Sequence, residues 1–243
     1  WSSDVCSSDL KWMKQVRKVR EIVPALEEAF FQAQSGVPGP VFVELPIDTL
    51  YPEDLIREQS EDQMPRGSSV MSRAIRWYIN RHLNNLFADK DKYQARPPRL
   101  PQIPAANLSQ ITKIRDALLQ AEKPVFIIGT GAMLQPRKAD VLASAIRQLG
   151  VPTFLSGMAR GLLGRDDLHI RHKRGNALRE SDLVLLAGVP NDFRLGYGQS
   201  IPSNAVHIGI SRSKEELTLN RRPTISVLAD PCEIGRASWR GRG

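Results

Sequence analysis

From residue 107 onward, short β-rich runs, the clearest of them wholly apolar, alternate with segments whose apolar residues recur at helical spacing. The runs are Pro124-Val125-Phe126-Ile127-Ile128, Val151-Pro152-Thr153-Phe154-Leu155, Leu183-Val184-Leu185-Leu186-Ala187, Val206-His207-Ile208-Gly209-Ile210 and Ile225-Ser226-Val227-Leu228. A strand with one wet face alternates apolar and polar residues; a strand apolar throughout is covered on both faces. Between the runs, Leu108, Ile111, Ile114, Leu118 and Leu119 mark one helix, and Val141, Ala145 and Leu149 a second. Ala177 and Leu178 mark a short third, and Glu215, Glu216 and Leu217 a brief fourth. This alternation predicts an α/β domain over residues 107–232, built on a doubly wound parallel sheet.

The segment before it reads differently. Ile22, Leu26, Ala29, Phe30 and Ala33 recur at helical spacing, and Ser35-Gly36 ends that helix. Val41-Phe42-Val43 and Leu45 then form an apolar run between Pro40 and Pro46, which predicts a strand buried on both faces. One strand makes no sheet, so its partners are expected upstream of residue 1, and residues 11–52 read as the end of another α/β domain. Residues 53–68 are polar and punctuated by Pro65 and Gly67, a linker. Over residues 70–87, Met71, Ile75, Ile79, Leu83 and Leu86 share one helical face, with Trp77 and Tyr78 beside it. Such a helix lies on a membrane surface or packs on the protein body, and packing is the commoner use. Pro97, Pro98, Pro101 and Pro104 make residues 88–106 extended. Residues 1–10 and 233–243 lack periodicity and look like translated adaptor sequence, foreign to the fold.

Charge is unevenly placed. The chain carries a formal net charge of +8, and residues 66–99 hold Arg66, Arg73, Arg76, Arg81, Lys90, Lys92, Arg96 and Arg99 against Asp89 and Asp91. Most of the excess therefore sits in residues 66–99 of the 53–106 connector. It is a solvated surface, or it faces an anionic membrane, nucleic acid or an acidic ligand. No nucleic-acid module is recognisable, so no specific nucleic-acid partner is expected. No run approaches a membrane span. Cys6 and Cys232 give neither a disulfide framework nor metal-type spacing. His169 and His172 stand three apart with no third ligand near, so no metal is expected. Gly-x-Ser-x-Gly, a P-loop and a Cys/His nucleophile pattern are all absent.

Glycines gather where the predicted strands end: Gly129 and Gly131, then Gly157, Gly161 and Gly164, then Gly188. Ligands of open parallel sheets sit beyond the carboxyl ends of the strands, and glycine lets backbone amides approach phosphate. Gly129-Thr130-Gly131-Ala132 is not a full Gly-x-Gly-x-x-Gly fingerprint, because residue 134 is Leu; a tight strand–helix turn would use the same residues. Arg194, two residues after Asp192, either clamps an anion or pairs with that carboxylate, and Arg160 has the same two readings. His207 sits in an apolar strand as a packed core residue.

The motifs Met158-Ala159-Arg160-Gly161-Leu162-Leu163-Gly164, Asp192-Phe193-Arg194-Leu195-Gly196-Tyr197-Gly198 and Leu45-Pro46-Ile47-Asp48 resemble thiamine-diphosphate enzymes of the acetolactate synthase and 2-hydroxyacyl-CoA lyase branch. The likeness covers roughly residues 20–231. It implies that residues 11–52 end a pyrimidine-binding domain and that 107–232 form a Rossmann-like central domain. Gly129, Thr130, Gly131, Ser156, Gly157, Met158, Arg174, Gly175, Gly188, Asp192, Arg194, Ser211 and Arg212 then fall at cofactor-binding positions. In acetolactate synthases these hold FAD; in the acyl-CoA lyases the domain helps hold an ADP-containing ligand. Ser211 stands at a position usually acidic, with Arg212 and Lys214 beside it, which favours the 3′-phosphate of coenzyme A over a flavin ribose. The resemblance further implies thiamine diphosphate and Mg²⁺, bound by a Glu and a Gly-Asp-Gly…Asn motif outside this sequence, so no catalytic residue is assigned and the chain alone is expected to be inert. The implied parent is a homodimer or homotetramer acting on an acyl-CoA or 2-oxo acid. It is associated with the endoplasmic reticulum membrane, with a cytoplasmic location as the alternative.

Overall fold

The computed structural model describes residues 10–235, and the chain divides into two compact units, 1–101 and 102–243.

In the first unit, β1 (Trp12–Gln15) and β2 (Val41–Glu44) run parallel, with Trp12 opposite Val41 and Gln15 opposite Glu44. Helix α1 (Ile22–Gln34) joins them and buries Ala25 and Ala29. The strand predicted over 41–45 therefore has a partner inside the chain, in contrast to the expectation that its partners lie upstream. It is also not buried on both faces in this unit: Val41 and Val43 are half-buried and Phe42 is exposed. Trp12-Met13-Lys14-Gln15 gave no strand signal because it is half polar and too short for its alternation to register.

Residues 53–68 are not the linker their polarity suggested. Glu53–Asp62 form helix α2, which follows Pro52. Glu53 and Asp54 place negative charge on its first turn, where the helix dipole favours it. Ile56 is its apolar anchor, packing with Val19 and Ile79 against Leu83, Leu86 and Phe87. The last three lie at the end of α3 (Val70–Leu86), whose N-terminus is capped by Ser69 Oγ accepting from Ser72 N at 3.1 Å. After α3 the chain is extended along α1, where Arg96 N donates to Glu27 at 2.9 Å and Arg99 pairs with Glu28.

The second unit is a five-stranded, all-parallel sheet in the order β4 (Thr153–Leu155), β3 (Pro124–Ile128), β5 (Leu183–Ala187), β6 (Val206–Ser211), β7 (Ile225–Leu228). The connecting helices are α4 (Leu108–Gln120), α5 (Ala139–Leu149), α6 (Arg174–Glu180) and α7 (Lys214–Thr218). A reciprocal capping box between Asn107 and Gln110 starts α4, and Gly150, at φ 67°, ends α5. Both faces of the sheet are dry. On one, Phe126, Ile128, Leu183, Leu185, Ile208 and Ile210 meet Ile111, Ile114, Leu142 and Ile146. On the other, Val125, Ile127, Val184 and Leu186 meet Leu178, Leu195 and Ile201. Each such side chain contributes about 1.5–3 kcal/mol by leaving water, which is why the central strands β3 and β5 are apolar at every position. Ile234 is fully buried in the first of these clusters, so the folded domain runs past residue 232. The regions thought foreign otherwise lie mostly outside the described residues.

Candidate functional site

The strand order places the topological switch point between β3 and β5, the position at which ligands of doubly wound sheets sit. Here that crevice is closed by backbone. Gly131 N donates to Gly188 O at 3.0 Å, Gly129 N to Ala187 O at 3.0 Å and Gly188 N to Ile210 O at 2.9 Å. A Cβ on Gly131 would lie 2.6 Å from Gly188 Cα, and one on Gly129 would lie 2.4 Å from Val189 Cγ2. Gly188 adopts φ 62°, a conformation that disfavours side chains. The glycines expected to cradle phosphate thus let two turns of the protein interlock, and their amides are already engaged. The next pair of strand ends is stitched in the same way: a Cβ on Gly157 would meet Thr130 Oγ1 at 2.2 Å, and Met158 N donates to that oxygen at 3.3 Å.

The open space lies one strand further out, at the carboxyl end of β4. A cleft of about 740 Å³ is lined by Phe154, Leu155, Ser156, Arg160 and the run from His169 to Gly175. Its wall is built by the edge strand itself. Thr153 N donates to Leu168 O at 2.7 Å and Ile170 N to Thr153 O at 2.9 Å, so residues 168–170 pair beside β4 and direct the following residues over the strand end. Lys173, in the left-handed region at φ 56°, turns the chain into α6. Arg160, Arg171, Lys173 and Arg174 line this cleft with no carboxylate among the lining residues. Arg174 donates to the carbonyl of Arg194, which ties the cleft to the loop after β5. Arg171 and Lys173 were missed from the sequence as site residues; the signal was the run of five basic or imidazole side chains among residues 169–174.

The remaining expected residues take other roles. Arg194 pairs with Asp192 through Nε at 2.8 Å, and Asp192 Oδ1 also accepts from Arg194 N at 2.9 Å. Partial burial raises the Asp192 carboxyl, but its bonds to Arg194 outweigh that and hold it below the usual range. Ser211 and Arg212 do not line the cleft. Ser211 Oγ donates to Glu216 Oε2 at 2.6 Å, so an acidic group does stand at the end of β6, supplied from α7 five residues on. Arg212 is buried and pairs with Asp230, Nε to Oδ2 at 3.0 Å. The expectation that Arg212 offers a free cation to a 3′-phosphate is therefore corrected: its charge is turned inward. His207 is buried as expected, with both ring nitrogens unpartnered. Among the described residues no group of three or more His, Cys, Asp or Glu is arranged for a metal, and no helix is long and apolar enough to cross a membrane.

The family model for the central domain of thiamine pyrophosphate enzymes matches residues 111–237. The chain is 42% identical over 226 residues to 2-hydroxyacyl-CoA lyase 2 of Danio rerio, covering 90% of this chain and 36% of that protein. It is 44% identical over 212 residues to 2-hydroxyacyl-CoA lyase 2 of Homo sapiens, covering 86% and 33%. The chloroplastic acetolactate synthase of Arabidopsis thaliana is 28% identical over 236 residues, covering 93% and 30%. In fold, the chain resembles an X-ray structure from Mycobacterium smegmatis described as a thiamin diphosphate-dependent enzyme, with TM-score 0.61 and 14% identity over 94% of this chain and 39% of that one. The chain spans about a third of the length of the curated relatives it matches. Its parallel sheet, strand order and matched region together establish that it belongs to the thiamine pyrophosphate enzymes, whose central domain its second unit carries.

Proposed function

We propose that the parent protein is a thiamine-diphosphate-dependent lyase that cleaves the C1–C2 bond of a 2-hydroxyacyl-CoA, giving an aldehyde and formyl-CoA. The observation that carries this reading is the difference in similarity: 42–44% identity to proteins named 2-hydroxyacyl-CoA lyase 2, against 28% to acetolactate synthases. Thiamine diphosphate, held with Mg²⁺, supplies the electron sink for the bond cleavage when bound. The part of this chain is to seat the anionic end of the substrate. Arg160, Arg171, Lys173 and Arg174 offer cationic donors to the phosphates of a coenzyme A or ADP moiety. The engaged amides of Gly129, Gly131 and Gly188 leave little for a flavin pyrophosphate at the glycine turn, which supports an acyl-CoA reading over FAD.

The test uses the full-length parent with thiamine diphosphate, Mg²⁺ and a 2-hydroxyacyl-CoA, with products followed by mass spectrometry. Aldehyde and formyl-CoA are expected; acetolactate from pyruvate, without cleavage of the thioester substrate, would overturn the reading. The resemblance also implies a homodimeric or homotetrameric parent in the endoplasmic reticulum, checked by light scattering and by imaging the tagged protein against a reticulum marker.

A further inference from the structure

Helix α3 has two apolar faces, and the fold covers one. Ile79, Leu83 and Leu86 pack inward with Phe87, Val19 and Ile56. About half a turn away, residues 70, 71, 74, 77, 78 and 81 fall on a single stripe, and Val70, Met71, Trp77 and Tyr78 on it are 74%, 70%, 62% and 67% exposed. The sequence pattern assigned Met71 to the packed face; in the structure it belongs to the bare one. Arg81 lies on the same stripe, with its guanidinium 5.4 Å from the centre of the Trp77 ring.

The charge around the stripe is of one sign. Between Asp62 and Asp89 there is no acidic residue, while Arg66, Arg73, Arg76 and Arg81 fall in that interval. Further along the connector three of the four cations are paired, Lys90 with Glu53, Lys92 with Asp89 and Arg99 with Glu28, while the Arg96 guanidinium lies over the Tyr93 ring. Those beside the stripe are not: Arg66, Arg73 and Arg81 form no ion pair among the described residues. The unneutralised charge of the connector is thus concentrated where its aromatic and aliphatic surface is bare.

We propose that this face of α3 seats in the headgroup layer of an anionic lipid surface, with Trp77, Tyr78, Met71 and Val70 toward the acyl boundary and Arg66, Arg73 and Arg81 on the lipid phosphates. Three features favour lipid over a protein partner. A helix of 17 residues, about 25 Å long, lies flat in the interface and does not need to span it. Tryptophan and tyrosine prefer the boundary between apolar and wet layers. Three unpaired arginines with no intervening carboxylate match a surface of uniform negative charge, whereas protein surfaces mix signs.

The experiment is co-sedimentation of the 243-residue chain with phosphatidylserine-containing and with purely phosphatidylcholine vesicles, at low and high salt, with Trp77→Ser/Tyr78→Ser and Arg73→Glu/Arg81→Glu variants. Their helical content is checked by circular dichroism, since all four side chains are exposed. Binding to the anionic vesicles is expected, at least tenfold weaker in either variant and lost at high salt. Equal sedimentation with both vesicle types, or variants that bind as the parent sequence does, would overturn the proposal. So would a lipid-free dimer abolished by Trp77→Ser/Tyr78→Ser, or equal binding to a duplex oligonucleotide, since the face would then serve a second copy or a nucleic acid.

Discussion

Arg212 and Asp230 form a buried ion pair in which the carboxylate is shared: Oδ2 accepts from Arg212 Nε at 3.0 Å and from Gln135 Nε2 at 2.8 Å, while Oδ1 accepts from Cys232 N at 2.8 Å. The pair holds the loop after β6 against the segment after β7. Removing one partner leaves the other charged, buried and unpaired. Arg212→Ala is expected to destabilise the chain by about 3–5 kcal/mol, read by urea denaturation, without weakening nucleotide binding in the β4 cleft. A variant of unchanged stability with reduced coenzyme A affinity would return Arg212 to the ligand site.

The same pair has a pH signature. Burial raises the Asp230 carboxyl, but Arg212 and the Cys232 amide outweigh it and hold it below its usual 3.8. A carboxyl depressed in the folded state contributes stability that is present above its unfolded value and lost as pH falls through the folded one. Acid unfolding below about pH 4 is expected to be less steep in an Asp230→Asn variant, measured by denaturation midpoints across the acid range.

His207 acts in a higher window. Burial, and secondarily the charge of Arg221, lower its imidazole from 6.5 to about 4. The folded state holds it neutral while the unfolded chain takes up a proton below 6.5. Stability is therefore full above that value and falls as pH drops toward 4, by an upper bound of roughly 3 kcal/mol. His207→Leu is expected to flatten the stability profile between these two pH values; an unchanged slope would mean that the ring is solvated.

Glycine substitutions separate backbone conformation from close approach. Gly150 and Gly188 both have positive φ, but a Cβ at Gly150 meets nothing within 4 Å, whereas one at Gly188 would lie 2.4 Å from Ala132 N. Gly150→Ala is expected to cost about 1 kcal/mol for the dihedral alone. Gly188→Ala is expected to cost at least about 2 kcal/mol more, because both interlocking turns must separate. Equal midpoints in urea would contradict the packed switch point.

In the cleft, Arg160→Ala and Lys173→Ala are each expected to weaken coenzyme A or ADP binding about tenfold with stability unchanged, since each charge-assisted bond contributes roughly 1.5 kcal/mol. Isothermal titration on the chain measures both, and affinity unaffected by either substitution would place the ligand elsewhere.

The central sheet was legible because its middle strands are buried on both faces and so are apolar at every step, as in Pro124–Ile128 and Leu183–Ala187. The first unit was less so. Trp12–Gln15 is short and half polar, and Glu53–Asp62 is a helix held by its charged first turn and one anchor, Ile56. The carboxyl end of the sheet was legible as a place of glycine turns, and the roles of those turns were not. A glycine that meets phosphate and a glycine that meets another backbone leave the same letter in the chain, and Gly131 and Gly188 are of the second kind. Nor does a strand end reveal that its carboxylate arrives from Glu216, or that Arg212 turns inward to Asp230, because both depend on elements that meet only in the folded state.

The pairing of residues 168–170 along Thr153 has a consequence beyond shaping the cleft. β4 is the exposed margin of a parallel sheet, and its unpaired amides and carbonyls would otherwise template the addition of a foreign strand. The segment that carries the cationic run is also the guard on that margin. Substitutions that unseat Leu168 or Ile170 would therefore show first as aggregation during expression, before any loss of ligand affinity could be measured. The cover on this sheet edge and the placement of Arg171, Lys173 and Arg174 after it both follow from the pairing of residues 168–170 with Thr153.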